Sequence, residues 1–529
     1  MIYTAAEVAG LSLLCVLFLH YNGSDDIIHL IINSYSFKRR VLVESRFYLL
    51  CDHVALRGWN DLPCALYDSR ARRVLIGNRA KTEAALACNG KTDFSNILLP
   101  DYFREYAEEL VSRGLARPCR EGEAFSTFQQ FQKYPAPFLK NVLWEITGHC
   151  NFRCRHCYMS APGNHLPHLS SASVFHIIDE LASCGVFDVA LTGGEPLVRS
   201  DFPKIVEALS EKGINIDHIM SNGALIDEKL LDLLERCGQH PVLYLSYDGT
   251  DGWHDWMRGV SGAGDMAERA IKLWRSRGLE VWVHASVHKG NIGTIRDIVN
   301  HMAKLDVTKL RFGPVKNEGE WLLHSDGNEL SYSAFFEAVL SYLPFYFEDG
   351  MPIHLILADI VELDPDAPDI YILSMLWDHM KSFDGMFLGC RSGMIEITCS
   401  GKVRLCGELG DDYLEMPPLA CDDPDIRTAS LSEILGGPVY RRTMALTCRS
   451  YLDKHSPCSS CERFSYCHGG CRGLALKEGS LFGRSSLNCQ IFLEERWPER
   501  TFEVMSRIRP DMKPVPFPDF LKDEYNRKP

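Results

Sequence analysis

The chain has 529 residues, of which 46% are hydrophobic and 24% charged, and its formal net charge is −14. This length is too great for one hydrophobic core and predicts several domains, whereas the ordinary composition excludes a disordered or coiled-coil protein. The acidic balance, with no basic stripe, predicts that the protein does not bind nucleic acid, since phosphate contacts need clustered Lys and Arg.

The first predicted element is an apolar run of 12 residues, VAGLSLLCVLFL, within an N-terminal extension over residues 1–34. No Lys or Arg precedes the run and no clear cleavage site follows it. Such a run is too short to cross a bilayer of about 30 Å as a helix. We therefore expect a buried or interface helix, or a start codon placed too far upstream, and a cytoplasmic protein with no membrane association; a secretory signal peptide is the alternative.

Residues 35–120 are predicted to form a small winged-helix-like domain. The segments 41–55 and 63–77 have the composition of strands, and the second turns at DSRAR as a hairpin. Two helices follow, in NRAKTEAALACNG and DYFREYAEELVSRGLA. The polar, Pro-containing residues 121–140 are predicted to be a linker.

Residues 141–319 are predicted to form an α/β domain, a partial (β/α)6 TIM-like barrel. Apolar strands alternate with helices at intervals of about 30 residues, and right-handed crossovers then place the helices on one side of a parallel sheet. The strands are VLWEIT, FDVALTG, NIDHIMSN, PVLYLSY, EVWVHASV and TKLRFGP. In such a barrel the chemistry lies at the carboxyl ends of the strands.

Three regions follow the barrel: a helical bridge over residues 320–385, a cysteine-rich domain over residues 386–492, and a C-terminal tail over residues 493–529. Of the 20 cysteines, ten lie between residues 390 and 489. Disulfides explain such crowding in a secreted chain, whereas close cysteine pairs in an intracellular enzyme more often hold metal. We therefore interpret this region as metal-binding.

Three cysteines follow the first barrel strand in C-x3-C-x2-C spacing: Cys150, Cys154 and Cys157. A closed structural zinc site takes four ligands, so a loop with three thiols predicts a metal centre that keeps one position open. An open position is typical of catalysis.

Polar motifs follow the next three strands: GGEP at Gly193–Pro196, SNG at Ser221–Gly223 and SYDG at Ser246–Gly249. Paired glycines allow a ligand to approach the backbone, and the following glutamate offers a carboxylate to an amine. Hydroxyl and amide groups at strand ends suit ribose hydroxyls, although each motif by itself is also typical of a plain turn. Arg258, in HDWMRG, is suited to pairing with a carboxylate.

The triad followed by GGEP, SNG and SYDG on successive strands resembles the radical S-adenosylmethionine (SAM) superfamily. The resemblance implies that the three cysteines hold a [4Fe-4S] cluster whose fourth iron binds SAM. An external one-electron reductant such as flavodoxin or ferredoxin would drive cleavage of SAM to a 5′-deoxyadenosyl radical, which abstracts hydrogen from the substrate. By the same resemblance the SAM contacts are Tyr158, Gly193, Gly194, Glu195, Pro196, Ser221, Asn222, Ser246, Asp248 and Arg258.

The second cysteine set, with a C-x2-C-x5-C-x3-C core, resembles the SPASM extension of radical SAM enzymes, which holds two auxiliary [4Fe-4S] clusters. Three clusters are then expected in all. One auxiliary cluster has no obvious fourth ligand; it either borrows one, with Cys399 as a candidate, or keeps an iron open for substrate. A pair of zinc ribbons is the alternative and leaves several cysteines unexplained. The implied ligands are Cys458, Cys461, Cys467 and Cys489 for one cluster and Cys390, Cys406 and Cys471 for the other.

The N-terminal domain resembles the RiPP recognition element, a winged-helix module that binds leader peptides of ribosomally made, modified natural products; a plain interaction domain is the alternative. Such modules bind an extended peptide along a sheet edge. Together the resemblances imply a peptide maturase that crosslinks a precursor peptide, with a thioether favoured by an open auxiliary iron. Carbon–carbon crosslinking and epimerisation are alternative outcomes.

An anaerobic sulfatase-maturating type of enzyme is a further alternative. That family has an Asp directly after the cysteine corresponding to Cys406, whereas this chain has Gly407 there, with Glu408 as the nearest carboxylate. This departure, together with the extra N-terminal domain, disfavours that activity. A non-catalytic electron-transfer or zinc-binding scaffold is the alternative from another class.

Overall fold

The structure is a computed structural model, and it describes residues 46–373 except 72, 125, 127, 140 and 359, then 394–409, 424–438, 440–441, 451–452 and 458–516 except 468. The predicted N-terminal extension, Cys390 and the last residues of the tail lie outside the described residues. Contacts divide the chain into two compact units, the first containing Cys64–Gln132 and the second containing Lys133–Pro529, with Arg57–Pro63 belonging to the second.

The first unit has the strands, hairpin and helices that the sequence predicts. Strand β1 pairs antiparallel with β5, which follows the second helix, and β3 forms a hairpin with β4 around DSRAR. Helix α1 begins after Asn78, whose side chain accepts a hydrogen bond from the backbone of Lys81 at 3.0 Å. The elements are β1 Phe47–Leu50, β2 Val54–Gly58, β3 Ala65–Asp68, β4 Arg73–Ile76, α1 Arg79–Ala87, α2 Asp101–Ser112 and β5 Ala116–Cys119, followed by β6 Gln132–Lys133 at the end of the predicted linker.

The second unit is built on a 12-stranded sheet. The six predicted strands are β7 to β12, and they lie side by side in chain order as parallel neighbours. Between them run the predicted helices. These elements are β7 Asn141–Thr147, α3 Ser171–Ser183, β8 Asp188–Gly193, α4 Phe202–Glu211, β9 Asn215–Ser221, α5 Glu228–Arg236, β10 Val242–Ser246, α6 Trp253–Arg258, α7 Ala263–Ser276, β11 Val281–Val287, α8 Ile295–Lys304 and β12 Lys309–Pro314.

The sheet continues beyond the six predicted strands on both sides. Strand β13 pairs parallel with β12, and β16 pairs parallel with β7 on the other side of the barrel sheet. The later elements are α9 Trp321–His324, α10 Tyr332–Glu348, β13 His354–Leu357, β14 Val361–Leu363, β15 Ile370–Leu373, β16 Met394–Ile397, β17 Val403–Arg404, α11 Leu431–Gly436, α12 Phe464–Cys467, α13 Arg472–Lys477, α14 Ser486–Cys489, α15 Trp497–Ile508 and β18 Lys513–Pro516.

The prediction of a helical bridge over residues 320–385 is wrong for residues 354–373, and residues 374–385 lie outside the described part of the chain. Helices α9 and α10 are present, but β13, β14 and β15 follow them. The apolar runs HLIL and IYIL are short, and a run of that length has no periodicity that separates strand from helix. Here the open edge of β12 decides the outcome, because it offers backbone partners to the next strand.

The hydrophobic core of the second unit lies between the sheet and its helices. In β7, Val142, Trp144 and Ile146 are fully buried against α3 and its neighbours, so the alternate residues Leu143 and Glu145 face the other side of the sheet. Among the described residues, no helix is long and apolar enough to cross a membrane. The loops that follow β7 to β10 carry the motifs and lie at one edge of the sheet.

Candidate cofactor and metal sites

The loop that carries the cysteine triad is clamped at several points by hydrogen bonds. The backbone of Cys150 donates to the side chain of Asn164 at 2.8 Å. Farther along, the backbone of Arg153 and that of Arg155 donate to the carbonyl oxygens of Arg258 and Met257 at 3.3 and 2.8 Å. The loop is therefore held against α6.

Each sulfur of the triad accepts a hydrogen bond from an N–H group. The donors are the backbone of Phe152 to Cys150 at 3.4 Å, the backbone of Ala161 to Cys157 at 3.4 Å, and Nη1 of Arg258 to Cys154 at 3.7 Å. Hydrogen bonds to the sulfurs are one of the ways in which proteins tune iron–sulfur clusters.

Burial raises the pKa of the Cys150 thiol to about 12 and also raises the pKa of Cys154. Iron binding would therefore displace protons from these thiols. Three convergent thiols, each with an N–H donor, fit the predicted cluster.

The two glycines of GGEP pack against the start of the triad loop. Gly193 has a φ of +138°, and a Cβ there would lie 2.1 Å from the carbonyl oxygen of Thr147. At Gly194 a Cβ would lie 2.3 Å from the carbonyl oxygen of His149. The backbone of the loop fills the space beside the two glycines. Because glycine has no side chain, the end of β8 can lie close to the loop that carries the cysteines.

Glu195 is fully buried and joins two of the predicted motifs. Its carboxylate accepts hydrogen bonds from the hydroxyl of Ser221 at 3.0 Å, the backbone of Asn222 at 2.8 Å and the backbone of Leu197 at 3.1 Å. Burial raises the pKa of Glu195 to about 7, against the effect of these three donors. The same Asn222 donates from its side chain to Asn151 of the triad loop at 2.8 Å, which ties the third strand end to the cysteines.

Asp248 and Arg258 form a buried ion pair beside Cys154. Nε of Arg258 donates to Asp248 at 2.7 Å, and the other carboxylate oxygen of Asp248 accepts from the backbone of Ser286 at 3.1 Å. Burial acts to raise the pKa of Asp248, but Arg258 and His254 hold it well below its usual range.

Nη2 of Arg258 is buried and has no hydrogen-bond partner among the described residues. An unpartnered guanidinium nitrogen suits an anionic group, so the site fits the carboxylate of SAM. The carboxylate of Asp248 is already occupied by protein groups.

The three remaining residues that are predicted to contact SAM are Ser246, Tyr158 and Pro196. Ser246 ends β10 and is half-buried, in register with His284 of β11. Tyr158 is 61% exposed, and Pro196 begins a short 3-10 helix after Glu195. The structure therefore brings the triad together with Gly193, Gly194, Glu195, Ser221, Asn222, Asp248 and Arg258. Pro196 is buried directly after Glu195. Tyr158 directly follows Cys157, and burial of its hydroxyl raises its pKa although much of the side chain is exposed.

The second cysteine set gathers in the C-terminal part of the unit. The thiols of Cys458, Cys461 and Cys489 lie within electrostatic range of Cys467, whose pKa is raised to about 11, mainly by burial. The hydroxyl of Tyr451 donates to the sulfur of Cys458 at 3.1 Å. These are the four cysteines that the sequence assigns to one auxiliary cluster.

The described ligands of the other predicted auxiliary cluster lie near the carboxyl end of β12. Cys406 and Cys471 both act electrostatically on Lys316, which follows that strand. Cys399 lies elsewhere, in the turn between β16 and β17, where its backbone donates to Glu145 of β7 at 3.0 Å. The third implied ligand, Cys390, lies outside the described residues.

In the described part of the chain, no three His, Cys, Asp or Glu side chains are close enough to share a single metal ion. A [4Fe-4S] cluster binds each cysteine through a different iron, so its ligands stand farther apart than those of one ion. Sequence reasoning missed the residues that hold the triad loop, Asn151 and Asn164, because single polar residues in a loop carry no pattern.

The parallel barrel and the cysteine loop after its first strand define the class. Residues 144–303 match the profile of the Radical SAM superfamily, so this part of the chain is similar to a radical SAM domain. It is 32% identical over 184 residues to the Fe-coproporphyrin III synthase of Methanosarcina barkeri, a match that covers 35% of this chain and 45% of that protein.

A second relative is the sporulation killing factor maturation protein SkfB of Bacillus subtilis, at 29% identity over 175 residues, which is 33% of this chain and 42% of SkfB. The chain thus spans less than half the length of both relatives. Among solved structures, Streptococcus suis SuiB bound to precursor peptide SuiA has a similar fold, with a TM-score of 0.55 and 12% identity over 84% of this chain and 100% of SuiB.

Proposed function

We propose that this enzyme is a peptide maturase that uses SAM and three [4Fe-4S] clusters to install a crosslink, most simply a thioether, in a ribosomally made precursor peptide. When bound, SAM and its cluster would supply a 5′-deoxyadenosyl radical for hydrogen abstraction. The chain's own residues would position that cofactor: the triad cysteines bind the iron, Arg258 pairs with the SAM carboxylate, and Glu195 fixes the strand ends around it.

One observation carries the proposal: the segment that follows β12 contacts both the triad loop and the elements that follow Cys406 and Cys471. Lys316, two residues after β12, contacts Glu408, which directly follows Cys406, and Glu318 pairs with Lys477 of the helix that begins after Cys471. Four residues after Lys316, the backbone of Glu320 donates to the carbonyl oxygen of Cys157 at 3.0 Å. A substrate held at this segment would lie beside both the radical source and an electron acceptor.

Two sites are useful because crosslinking removes two electrons. Hydrogen abstraction takes one electron from the substrate, and formation of a sulfur–carbon bond releases a second, which needs an acceptor nearby. A thiolate of the substrate on an open auxiliary iron would favour the thioether product. The sequence pattern assigns only three cysteines to the cluster that Cys406 and Cys471 would hold, and this count motivates the choice of product.

A peptide substrate is supported by the first unit and by the likeness to SkfB, whose name describes a maturation protein. Strand β4 is paired with β3 through Ala65↔Ile76 to Asp68↔Arg73, and the described residues show no strand on its other side. An extended leader peptide can add to such an edge through its backbone. Docking there would bring the core of the peptide to the enzyme at high effective concentration.

A tetrapyrrole substrate is the second candidate, because the Fe-coproporphyrin III synthase is 32% identical over 184 residues. The sulfatase-maturating alternative is less well supported. Its Asp position is Gly407, and both oxygens of the neighbouring Glu408 are engaged by Lys316 and Lys477. Glu408 is therefore not placed as a free base.

Mass spectrometry of a co-expressed peptide tests the proposal. The full chain is expressed anaerobically with each short Cys-containing peptide encoded beside its gene, and each thioether is expected to lower the peptide mass by about 2 Da, since two hydrogens leave. Purified protein is expected to hold about 12 irons per chain. Unchanged peptides, together with conversion of an added iron tetrapyrrole, would overturn the proposal in favour of the second candidate.

A further inference from the structure

Glu145 is a buried glutamate in the middle of a central strand, and it is not one of the predicted SAM contacts. It lies in β7, five residues before Cys150, and is 4% exposed. Charged side chains are almost never this buried unless they are paired. A buried carboxylate at such a position therefore needs a partner or a function.

The side chain of Glu145 lies on the inner face of the sheet, which is the face opposite the helices. Its neighbours Trp144 and Ile146 are fully buried in the core between sheet and helices, and side chains alternate along a strand. The inner face is not packed shut. In β10 and β11 the residues that face the helices are buried, whereas Tyr244 and Trp282 on the inner face are only half-buried. A ligand can therefore reach this face.

The carboxylate of Glu145 has little compensation in the described part of the chain. Its one hydrogen bond comes from the backbone of Cys399, which donates to Oε2 at 3.0 Å. The thiol of Cys399 also lies beside it; burial and the carboxylate raise the pKa of that thiol to about 12, and a thiol is a weak donor. No Lys, Arg or His of the described residues forms an ion pair with Glu145. Its negative charge is thus left without a positive partner.

Another buried glutamate of the same sheet shows what a structural carboxylate looks like. Glu362 of β14 is 8% exposed and contacts His354 at 2.5 Å and Lys309 at 3.5 Å. By contrast, the residue in register with Glu145 on β8 is Thr192, which is buried and whose hydroxyl makes no hydrogen bond to the described residues. Two neighbouring polar groups on the inner face are therefore available to a ligand.

We propose that Glu145 binds a basic side chain of the substrate peptide, a lysine ammonium or an arginine guanidinium, with the hydroxyl of Thr192 as a second polar contact. This inference rests on the proposed function, in which a peptide is the substrate. A buried carboxylate without a cation is stabilised by a ligand that brings one, because opposite charges attract strongly where water is excluded. Since β7 leads directly into the triad loop, a basic residue held there fixes the peptide near the predicted site of hydrogen abstraction.

Urea unfolding of the full chain separates a binding site from a structural contact. Glu145→Gln keeps an oxygen for the backbone of Cys399 but removes the uncompensated charge, so its urea midpoint is expected to equal or exceed that of the wild type. Glu362→Gln is the matched control. It removes a carboxylate that has cationic partners, and its midpoint is expected to fall. A fall of equal size in Glu145→Gln would overturn the inference, because the residue would then be structural.

A double-mutant cycle with the peptide tests the partner. The probe is the peptide that the wild-type enzyme crosslinks on co-expression, with each Lys and Arg of its core replaced in turn by Met. One of these replacements is expected to raise the KM of the purified enzyme about 30-fold, and Glu145→Gln is expected to raise it by a similar factor. In the Glu145→Gln enzyme the same replacement is expected to have no further effect, because the two groups pair with each other.

Two results of this cycle would overturn the inference and leave the proposed function intact. One is efficient crosslinking of a core peptide that contains no Lys or Arg; the other is a set of replacements whose effects add to that of Glu145→Gln without any coupling. A wild-type enzyme that crosslinks none of the peptides encoded beside its gene would overturn the proposed function and this inference with it. Iron content equal to that of the wild type shows that each variant keeps its metal sites.

Discussion

The two cysteine regions of the second unit place their sulfurs by different means. The triad loop is held by backbone hydrogen bonds and buried pairs supplied by β8, β9 and α6. The C-terminal cysteines lie on short helices and turns, joined to the barrel through side-chain ion pairs such as Lys477 with Glu318, which follows β12. The position of the triad therefore follows from the barrel fold, whereas the position of the C-terminal cysteines depends on local side chains. Substitutions can thus change the second region without changing the first.

Removal of Arg258 is expected to have the largest effect on stability. Arg258→Met leaves the fully buried carboxylate of Asp248 without its guanidinium partner, which costs about 3–5 kcal/mol of unfolding free energy. SAM binding is expected to weaken as well, because the unpartnered Nη2 is lost.

Urea unfolding of the full chain, followed by tryptophan fluorescence, measures the effect of Arg258→Met on stability. Arg277→Met is the control, since Arg277 pairs with Glu228 and Asp232 on the surface, where ion pairs contribute little. Equal losses in the two variants would contradict the assignment of a buried pair.

Titration of Glu195 is expected to make the stability of the barrel depend on pH. Burial raises the pKa of folded Glu195 from 4.5 to about 7, so the folded chain binds this proton more tightly than the unfolded chain. Its contribution to stability is fully present below about pH 4 and is lost as the pH rises to about 7, by about 3 kcal/mol in all.

Urea midpoints at pH 5, 6 and 7 compare the wild type with Glu195→Gln. At pH 5 the variant is expected to be less stable than the wild type, because one of the three donors to Glu195 loses its acceptor. Its stability is expected not to fall between pH 5 and 7, because glutamine does not titrate. If both proteins lose stability equally between pH 5 and 7, Glu195 is not the titrating group.

A methyl group at Gly193 is expected to disturb the triad loop. Gly193→Ala forces a Cβ toward the carbonyl oxygen of Thr147 and is expected to cost about 2–3 kcal/mol and to lower the iron content. Gly213→Ala is the matched control, because Gly213 also has a positive φ but meets nothing within 4 Å, so about 1 kcal/mol is expected. If the two variants lose similar unfolding free energy and keep similar iron contents, the effect of Gly193→Ala comes from backbone conformation alone and not from contact with Thr147.

The second cysteine set is expected to have the smallest effect on SAM cleavage. Replacement of Cys461 and Cys467 by serine should remove about four irons of about twelve, because one cluster loses two ligands. SAM cleavage by dithionite-reduced enzyme should continue, since the triad is untouched. If the variant that lacks these irons also fails to cleave SAM, the two cysteine regions are not independent.

The sequence predicts the barrel strands, because apolar runs at a regular interval are a local pattern. The triad as an iron site stays a prediction, which rests on the close spacing of three cysteines. Strands β13, β14 and β16 could not be predicted in the same way, since their short runs become strands by pairing with edges that exist only in the fold. The same holds for Glu195: GGEP indicates a carboxylate at a strand end, but its three donors come from two separate strand ends.

The ion pairs of Lys316 and Lys477 show the same limit at a longer range. Lys316 and Lys477 are ordinary charged residues in the sequence, and their pairing with Glu318 and Glu408 depends on the meeting of three separate segments. By contrast, the grouping of Cys458, Cys461 and Cys467 follows from their spacing, because close sequence neighbours meet in most folds.

Replacement of Cys150, Cys154 and Cys157 together by alanine tests the central claim most directly. Iron content and 5′-deoxyadenosine formation from SAM are measured in the dithionite-reduced variant and in wild-type enzyme. We expect a loss of about four irons and no detectable 5′-deoxyadenosine, because the fourth iron of that cluster would hold SAM. Formation of 5′-deoxyadenosine at the wild-type rate would contradict the account.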